Sequence, residues 1–162
     1  MYIKRKLNES LEIFKNLRSP HKNTSNSSHR YIATVGVGGN VGDVKRRLNR
    51  LYLYIKKDRR VTLLQTSLIL KNPPFGYIEQ DDFFNSIIVI KTSMQPTQFL
   101  NYLMRVEKKF ARKRSFANAP RTLDLDIIFF DDRVVKTSKL QIPHAKWFER
   151  DSVLIPLADI TK

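Results

Sequence analysis

Asp124 and Asp126, two residues apart in the apolar run Pro120-Arg121-Thr122-Leu123-Asp124-Leu125-Asp126-Ile127-Ile128-Phe129-Phe130, are the side chains of this sequence best placed to do chemistry. The run reads as a β-strand. Successive strand side chains take opposite faces, so the two carboxylates share one face, roughly 6–7 Å apart. Leu123, Leu125, Ile127 and Phe129 fall on the other face. Aspartate is depleted in strands and like charges on one face repel, so this pair calls for a cation. Mg²⁺ suits it, because the ion takes one or two carboxylates and completes its shell with waters and substrate phosphates. The competing reading is a half-exposed edge strand with two solvated acids.

Cations crowd the approach to this strand: Arg105, Arg112, Arg114 and Arg121, with Lys108, Lys109 and Lys113. Lysines on a helix face are usually only solvated, whereas a guanidinium meets phosphate oxygens two at a time. Glu107 belongs to the same stretch, either as a contact to a neighbour or nucleotide or as a surface acid. His144 follows Pro143, while His21 and His29 lie in a polar linker, and the three lack metal-ligand spacing. With no cysteine, disulfides, thiolate metal sites and a cysteine nucleophile are excluded. The turn Gly38-Gly39-Asn40-Val41-Gly42 does not make a dinucleotide fingerprint, since Val41 stands where counting from Gly36 demands glycine or alanine. No Walker A motif is present either. Carboxylates for Mg²⁺, arginines for phosphates and no covalent nucleophile point to phosphoryl transfer, in which catalysis is mainly positioning and charge neutralisation.

The elements that must position these residues can be traced along the chain. Tyr31 to Val37 is a first strand running into the glycine turn; Asp43 caps a helix with Val44, Leu48, Leu51 and Ile55 on one face. Val61 to Leu70 is a second strand, ended by the stiff loop Asn72-Pro73-Pro74-Phe75-Gly76. Phe83 to Thr92 is a third, and Pro96 opens a helix lined by Phe99, Leu100, Leu103, Val106 and Phe110. A basic loop, Arg112 to Pro120, then leads to the carboxylate strand. The order β-α-β-β-α-β predicts an α+β, ferredoxin-like fold: an antiparallel sheet with helices packed on it, here with a C-terminal extension of two short extended pieces and a helix from about His144.

Residues 1–30 read as an appendage to a domain spanning 31–162. Leu7, Leu11, Phe14 and Leu17 predict a short basic helix over Glu9 to Arg18, ended by Pro20 and followed by a polar linker. Net charge is +15, of which residues 1–30 supply +5 (seven Lys/Arg against two Glu). Such a balance favours polyanions in general, nucleotides, nucleic acid or acidic membranes, without choosing among them. No apolar run approaches the roughly 18–20 residues of a membrane span, and the charged N-terminus lacks the apolar core of a secretory signal, so the expected location is cytoplasmic. A basic nucleic-acid-binding domain of the same strand order is the alternative reading, although no Lys/Arg-Gly-Phe/Tyr pattern supports it. A polymerase or cyclase palm usually draws its carboxylates from separate strands and brings further domains.

From about Tyr31 to Ile160 the sequence resembles the 6-hydroxymethyl-7,8-dihydropterin pyrophosphokinase family. The resemblance rests on Gly38-Gly39-Asn40-Val41-Gly42-Asp43, Asn72-Pro73-Pro74-Phe75-Gly76, Phe83-Phe84-Asn85, Ala119 through Ile127, Pro143-His144 and Arg150 to Leu157. It implies transfer of the β,γ-pyrophosphoryl group of ATP to the pterin hydroxymethyl group, with Asp124 and Asp126 holding two Mg²⁺ ions. By the same resemblance Glu107, Arg112, Arg114, Arg121, Ile127, His144 and Arg150 contact ATP, with Arg112 and Arg121 catalytic. Pro73, Pro74, Phe75, Phe83 and Asn85 match the pterin pocket. The implied partners are ATP and the pterin alone, with no nucleic acid and no membrane, for a monomer. The Arg112–Ala119 loop matches one that closes over the site, and is one residue short. Two departures concern aromatics: Ser152 stands where a second ring should stack on the pterin, leaving that role to Trp147 or Phe148, and Ala145 follows His144.

Overall fold

A computed structural model describes residues 1–24, 26–112 and 115–160. Its elements follow in the order β1 (Ile3–Lys6), β2 (Glu12–Lys15), β3 (His21–Lys22), β4 (Tyr31–Gly39), α1 (Val44–Lys57), β5 (Val61–Thr66), β6 (Ile69–Asn72), β7 (Phe83–Thr92), α2 (Pro96–Lys109), β8 (Asp124–Phe130), β9 (Val135–Lys136), β10 (Gln141–Ile142), a 3₁₀ turn (Trp147–Glu149) and α3 (Asp151–Ile160). Strands β1 to β8 make one antiparallel sheet, with β9 and β10 a separate ribbon. The long β7 organises it. One edge of β7 pairs with all of β4, from Phe84 to Thr92; the other takes β6 at one end and β5 at the other. Strand β8, carrying the aspartates, pairs with β4. The architecture is α+β.

Alternation along these strands sorts side chains into two unlike faces. Val35, Val37, Ile88, Ile90, Leu125 and Ile127 join Leu48, Leu51 and Ile55 of α1 and Phe99, Leu103 and Val106 of α2 in the main core. Helix α1 starts where expected: the Asp43 carboxylate accepts from the Arg46 amide, satisfying an otherwise orphan donor. On the other face Leu70, Ile87 and Ile128 meet Val153, Ile155 and Leu157 of α3. Helix α3 is tied down at its far end, where the Asp159 carboxylate accepts from the Leu68 amide at 2.8 Å. It covers only part of this face, and the remainder is open.

Three expectations need correction. The helix over Glu9 to Arg18 is absent, and the segment forms the β1–β2 hairpin, with β2 paired to β6. A helical stripe would bury Leu7, Leu11, Phe14 and Leu17 together, yet Leu7 is 42% and Leu17 92% exposed. Leu11 and Ile13 instead turn to the α3 face and Phe14 to the main core, the period of a strand. Asn8 makes the reversal, its Oδ1 accepting from the amides of Ser10 and Leu11, a local bond that competes with helix. Secondly, the strand expected over Val61 to Leu70 divides at Ser67, whose Oγ accepts from the Ile87 amide at 2.8 Å and so stands in for a ladder bond. Thirdly, a β-bulge opposite Thr34 and Val35 lets Ile128 and Phe129 both turn to the α3 side. Phe129 therefore packs edge-on to Trp147 at 5.0 Å, and Phe130 takes the core place expected of Phe129.

Candidate active site

The uncovered part of the α3 face is a cavity of about 710 Å³. Its floor is the middle of the sheet: Asp124, Asp126 and Ile128 of β8, Gly36 and Gly38 of β4, and Phe83 and Asn85 of β7. Loops around the strand ends supply Pro73 and Phe75, Arg112, Asn118 and Arg121, and His144. The first turn of α3 and the residues before it overhang the mouth with Arg150 and Ser152. Thus Pro73, Phe75, Phe83, Asn85, Arg112, Arg121, Asp124, Asp126, His144 and Arg150 of the expected site come together around one space.

Glycine is required where this floor meets its loops. A Cβ on Gly38 would stand 2.2 Å from Asn85 Oδ1, and one on Gly39 would stand 2.6 Å from the Thr122 carbonyl oxygen. The Asn85 amide is thereby seated against bare backbone, and its Nδ2 donates to Asn72 Oδ1 at 2.7 Å. Asn40, only 4% exposed, ties its own turn to two other loops. Its Nδ2 donates to Gln80 Oε1 and the Asp81 carbonyl, and its Oδ1 accepts from the Arg121 amide at 2.8 Å. Sequence reasoning took Asn40 only as part of a turn; a buried amide side chain has no linear signature.

Electrostatics divides the two aspartates. Asp124 is clamped, with Oδ1 accepting from Arg112 Nη1 and Oδ2 from Arg121 Nη1, each at 2.6 Å. Arg112 is itself shared with Glu107, whose Oε1 also accepts from the Leu125 amide at 2.8 Å. Glu107 is 4% exposed and sits behind the cavity wall, positioning Arg112 and the start of β8. Among the described residues no guanidinium clamps Asp126 in this way. Burial first, then the charges of Asp124 and Glu107, push its carboxyl up to about 7, against the opposing pull of Arg121 and Arg112. At the rim, burial and the neighbouring Arg150 hold the His144 imidazole below its ordinary range despite Asp124, so the ring is neutral at pH 7. The Arg150 guanidinium lies over the Phe75 ring, 5.2 Å from its centroid.

This donor set fits Mg²⁺. Two carboxylates on one face, one of them disfavoured as an anion, gain from a divalent cation. Among the described residues no cluster of three or more acidic, His or Cys side chains forms a closed cage. A site of few protein ligands and open positions is the one Mg²⁺ uses beside phosphates.

Other expected residues lie elsewhere. Ile127 turns its side chain into the α1/α2 core, leaving only its main chain for any ligand. Pro74 is not among the residues around the cavity, and Arg114 falls outside the described residues. Neither Trp147 nor Phe148 reaches the cavity: Trp147 is taken by Phe129, and Phe148 is 57% exposed. Conversely, Asn8, Ser10 and Leu11 of the N-terminal hairpin do border it. The helical reading of that segment hid them; only the turn-forming pair Asn8 and Ser10 hinted at a reversal there.

Comparison with known proteins agrees with this geometry. Residues 34–162 match the model of the 7,8-dihydro-6-hydroxymethylpterin-pyrophosphokinase family. The chain is 41% identical over 133 residues to the 2-amino-4-hydroxy-6-hydroxymethyldihydropteridine pyrophosphokinase of Campylobacter jejuni, covering 82% of this chain and 85% of that protein. It is 42% identical over 126 residues to the protein of the same name from Helicobacter pylori (76% and 77% covered). For that of Bacillus subtilis the identity is 36% over 129 residues (80% and 77% covered). With a carboxylate pair, its arginines and an amide-and-aromatic recess in one cavity inside the matched region, the chain belongs to the 7,8-dihydro-6-hydroxymethylpterin-pyrophosphokinase family.

Proposed function

We propose that this protein transfers the β,γ-pyrophosphoryl group of ATP to 6-hydroxymethyl-7,8-dihydropterin, releasing AMP, in folate biosynthesis. One observation carries the reading: a single cavity joins the Asp124–Arg112–Arg121 cluster to the recess of Asn85, Phe83, Pro73 and Phe75. In the reaction the pterin hydroxymethyl oxygen bonds to the β-phosphorus as the bond from that phosphorus to the α–β bridging oxygen breaks. The hydroxyl proton is released and AMP leaves.

Asp124 and Asp126 would hold Mg²⁺, two ions in this reading, and the bound metal would supply charge neutralisation for the triphosphate. Arg112 and Arg121 now spend their charge on Asp124. A polyphosphate offers the two guanidiniums an alternative set of oxygens, and their fixed forks suit it. Glu107 keeps Arg112 aimed while it does so. Neutral His144 and cationic Arg150 meet the nucleotide from the rim. On the pterin side Asn85 reads the polar ring edge while Phe83 meets the ring face. Arg150 on Phe75 supplies a second flat surface beside Ser152, the position at which the resemblance called for a ring. The strand order supports a ferredoxin-like β-α-β-β-α-β core. Among the described residues no helix is long and apolar enough to cross a membrane.

The test incubates the protein with ATP, Mg²⁺ and the hydroxymethyl-dihydropterin and follows nucleotide products. AMP should accumulate in step with pterin consumption. ADP as product, or AMP release that ignores the pterin, would overturn the assignment.

A further inference from the structure

The matched family region begins at residue 34, yet Asn8, Ser10 and Leu11 border the cavity. The tip that carries them is built rather than draped. Leu7 and Leu11 close it, the Leu7 amide donating to the Leu11 carbonyl at 2.9 Å. Asn8 Oδ1 accepts from the Ser10 amide, the Ser10 hydroxyl and the Leu11 amide at 2.9, 3.2 and 2.8 Å. Further contacts brace the segment and tie it to the rest of the sheet and to α1. Strand β2 pairs with β6 from Glu12 opposite Lys71 to Phe14 opposite Ile69, and Lys4 and Lys71 both meet Glu12. The Tyr2 hydroxyl donates to the Lys45 carbonyl at 3.0 Å, and Ser19 Oγ donates to the Ser67 carbonyl. An edge held by that many independent bonds has little freedom to move aside for a ligand.

Register says which end of the cavity the tip walls. One step beyond Glu12 opposite Lys71 sets Leu11 beside Asn72, and Asn72 Oδ1 accepts from Asn85 Nδ2 at 2.7 Å. Leu11 also packs with Leu68, Leu70 and Ile155, and Ile155 stands one helical turn from Ser152. The tip therefore borders the amide recess, at the end away from the carboxylate–arginine cluster. An apolar Leu11, a hydroxyl at Ser10 and the small Ser152 leave a slot with one greasy wall and a polar lip. Such a slot suits the edge and face of a flat fused nitrogen heterocycle and does nothing for a triphosphate.

We propose that three residues of the N-terminal hairpin tip, Asn8, Ser10 and Leu11, are a wall of the substrate pocket that positions the heterocyclic acceptor and limits its size. The inference rests on the pyrophosphoryl-transfer reading for the identity of that acceptor. Positioning a ring against an existing surface affects capture of that ring, and leaves the nucleotide end unaltered.

The test uses the full chain and separates the two Michaelis constants. In Ser10→Trp, at the exposed lip, the indole intrudes on the slot, and the KM for the pterin should rise about tenfold or more, as expected of a steric misfit worth ~1.4 kcal/mol. The KM for ATP should stay within about twofold of wild type. Glu9→Ala, on the same tip but not bordering the cavity, should match wild type in both constants. Leu11→Met conserves bulk in a buried place and should retain most pterin affinity, whereas Leu11→Ala should not. If Ser10→Trp leaves the pterin KM unchanged, or raises both constants together, the wall has no such role. Wild-type turnover distinguishes the two claims: without pterin-dependent AMP release the function itself fails, while with it an unaltered Ser10→Trp sinks only the wall.

Discussion

Strands β4, β7 and β8 each present two faces, and the faces obey opposite rules. Toward α1 and α2 they offer Val35, Val37, Ile88, Ile90, Leu125 and Ile127, sealed from water. Toward α3 the same strands offer Gly36, Gly38, Asn85, Asp124 and Asp126, half covered and polar. Neighbours in sequence thus serve unlike ends: one residue stabilises and the next one reacts. The sealed face draws its energy from apolar area removed from water, at about 25 cal/mol per Å². The open face lacks that gain and concentrates like charges. The protein can bear such a face because the other side of the same strands holds the sheet together.

The sharpest break in this contrast comes from adjacent substitutions. Asp124→Asn should lower kcat by about 10³-fold, roughly 4 kcal/mol in the barrier, because it removes a metal ligand and releases Arg112 and Arg121 from their carboxylate. Its melting temperature should change little. Leu125→Ala should do the reverse. A buried leucine lost from a packed core costs about 3 kcal/mol of stability, with kcat per folded molecule retained. Steady-state kinetics beside thermal melts decide the matter: if both variants lose both properties, the faces are not independent.

Gly38→Ala probes the floor itself and should have a smaller effect. Its new Cβ would lie 2.2 Å from Asn85 Oδ1, so the amide must swing away and give up its bond to Asn72. The KM for the pterin should rise by about 10- to 100-fold, near 2 kcal/mol, with the KM for ATP much less altered. Gly36→Ala is the graded control. There the Cβ meets the Ile128 side chain at 3.3 Å, which yields more easily, so the loss should be several times smaller. Equal losses would mean that the crowded amide is not what counts.

The same two-faced logic explains what could be read from sequence. Segments whose periodicity comes from one buried face were legible: α1 with its Asp43 cap, β7 to the residue, and α2 behind Pro96. The aspartate pair was legible because charges in a strand are costly without a reason. Segments whose burial depends on a distant partner were not. The segment from Leu7 to Leu17 has four hydrophobic residues at helical spacing, and only pairing with β6 selects the strand that buries Leu11, Ile13 and Phe14 instead. The bulge at Ile128 depends on β4 across the ladder, which is why Phe129 was placed on the wrong face. Glu107 was ambiguous for a similar reason: nothing in a helix sequence says that the Leu125 amide and Arg112 will meet it.

The mildest and most diagnostic prediction concerns the charge conflict on the open face. Asp126 ordinarily titrates near 3.8, and in the folded protein its carboxyl is pushed up to about 7 by burial and by Asp124 and Glu107. Between those values the folded state holds a proton that the unfolded chain has released, so stability declines as pH rises through this window and the penalty is complete above about 7. Asp126→Asn removes the charge and hence the penalty. Without divalent cation at pH 8, the variant should be more stable than wild type by about 1–2 kcal/mol, or roughly 2–8 °C in melting temperature. The gap should shrink as pH falls toward 4. Adding Mg²⁺ with a non-hydrolysable ATP analogue should reverse the order at pH 8, because only the wild type keeps both carboxylates. A variant no more stable than wild type in metal-free buffer at pH 8 would show that Asp126 bears no electrostatic strain, and that the open face costs the fold nothing.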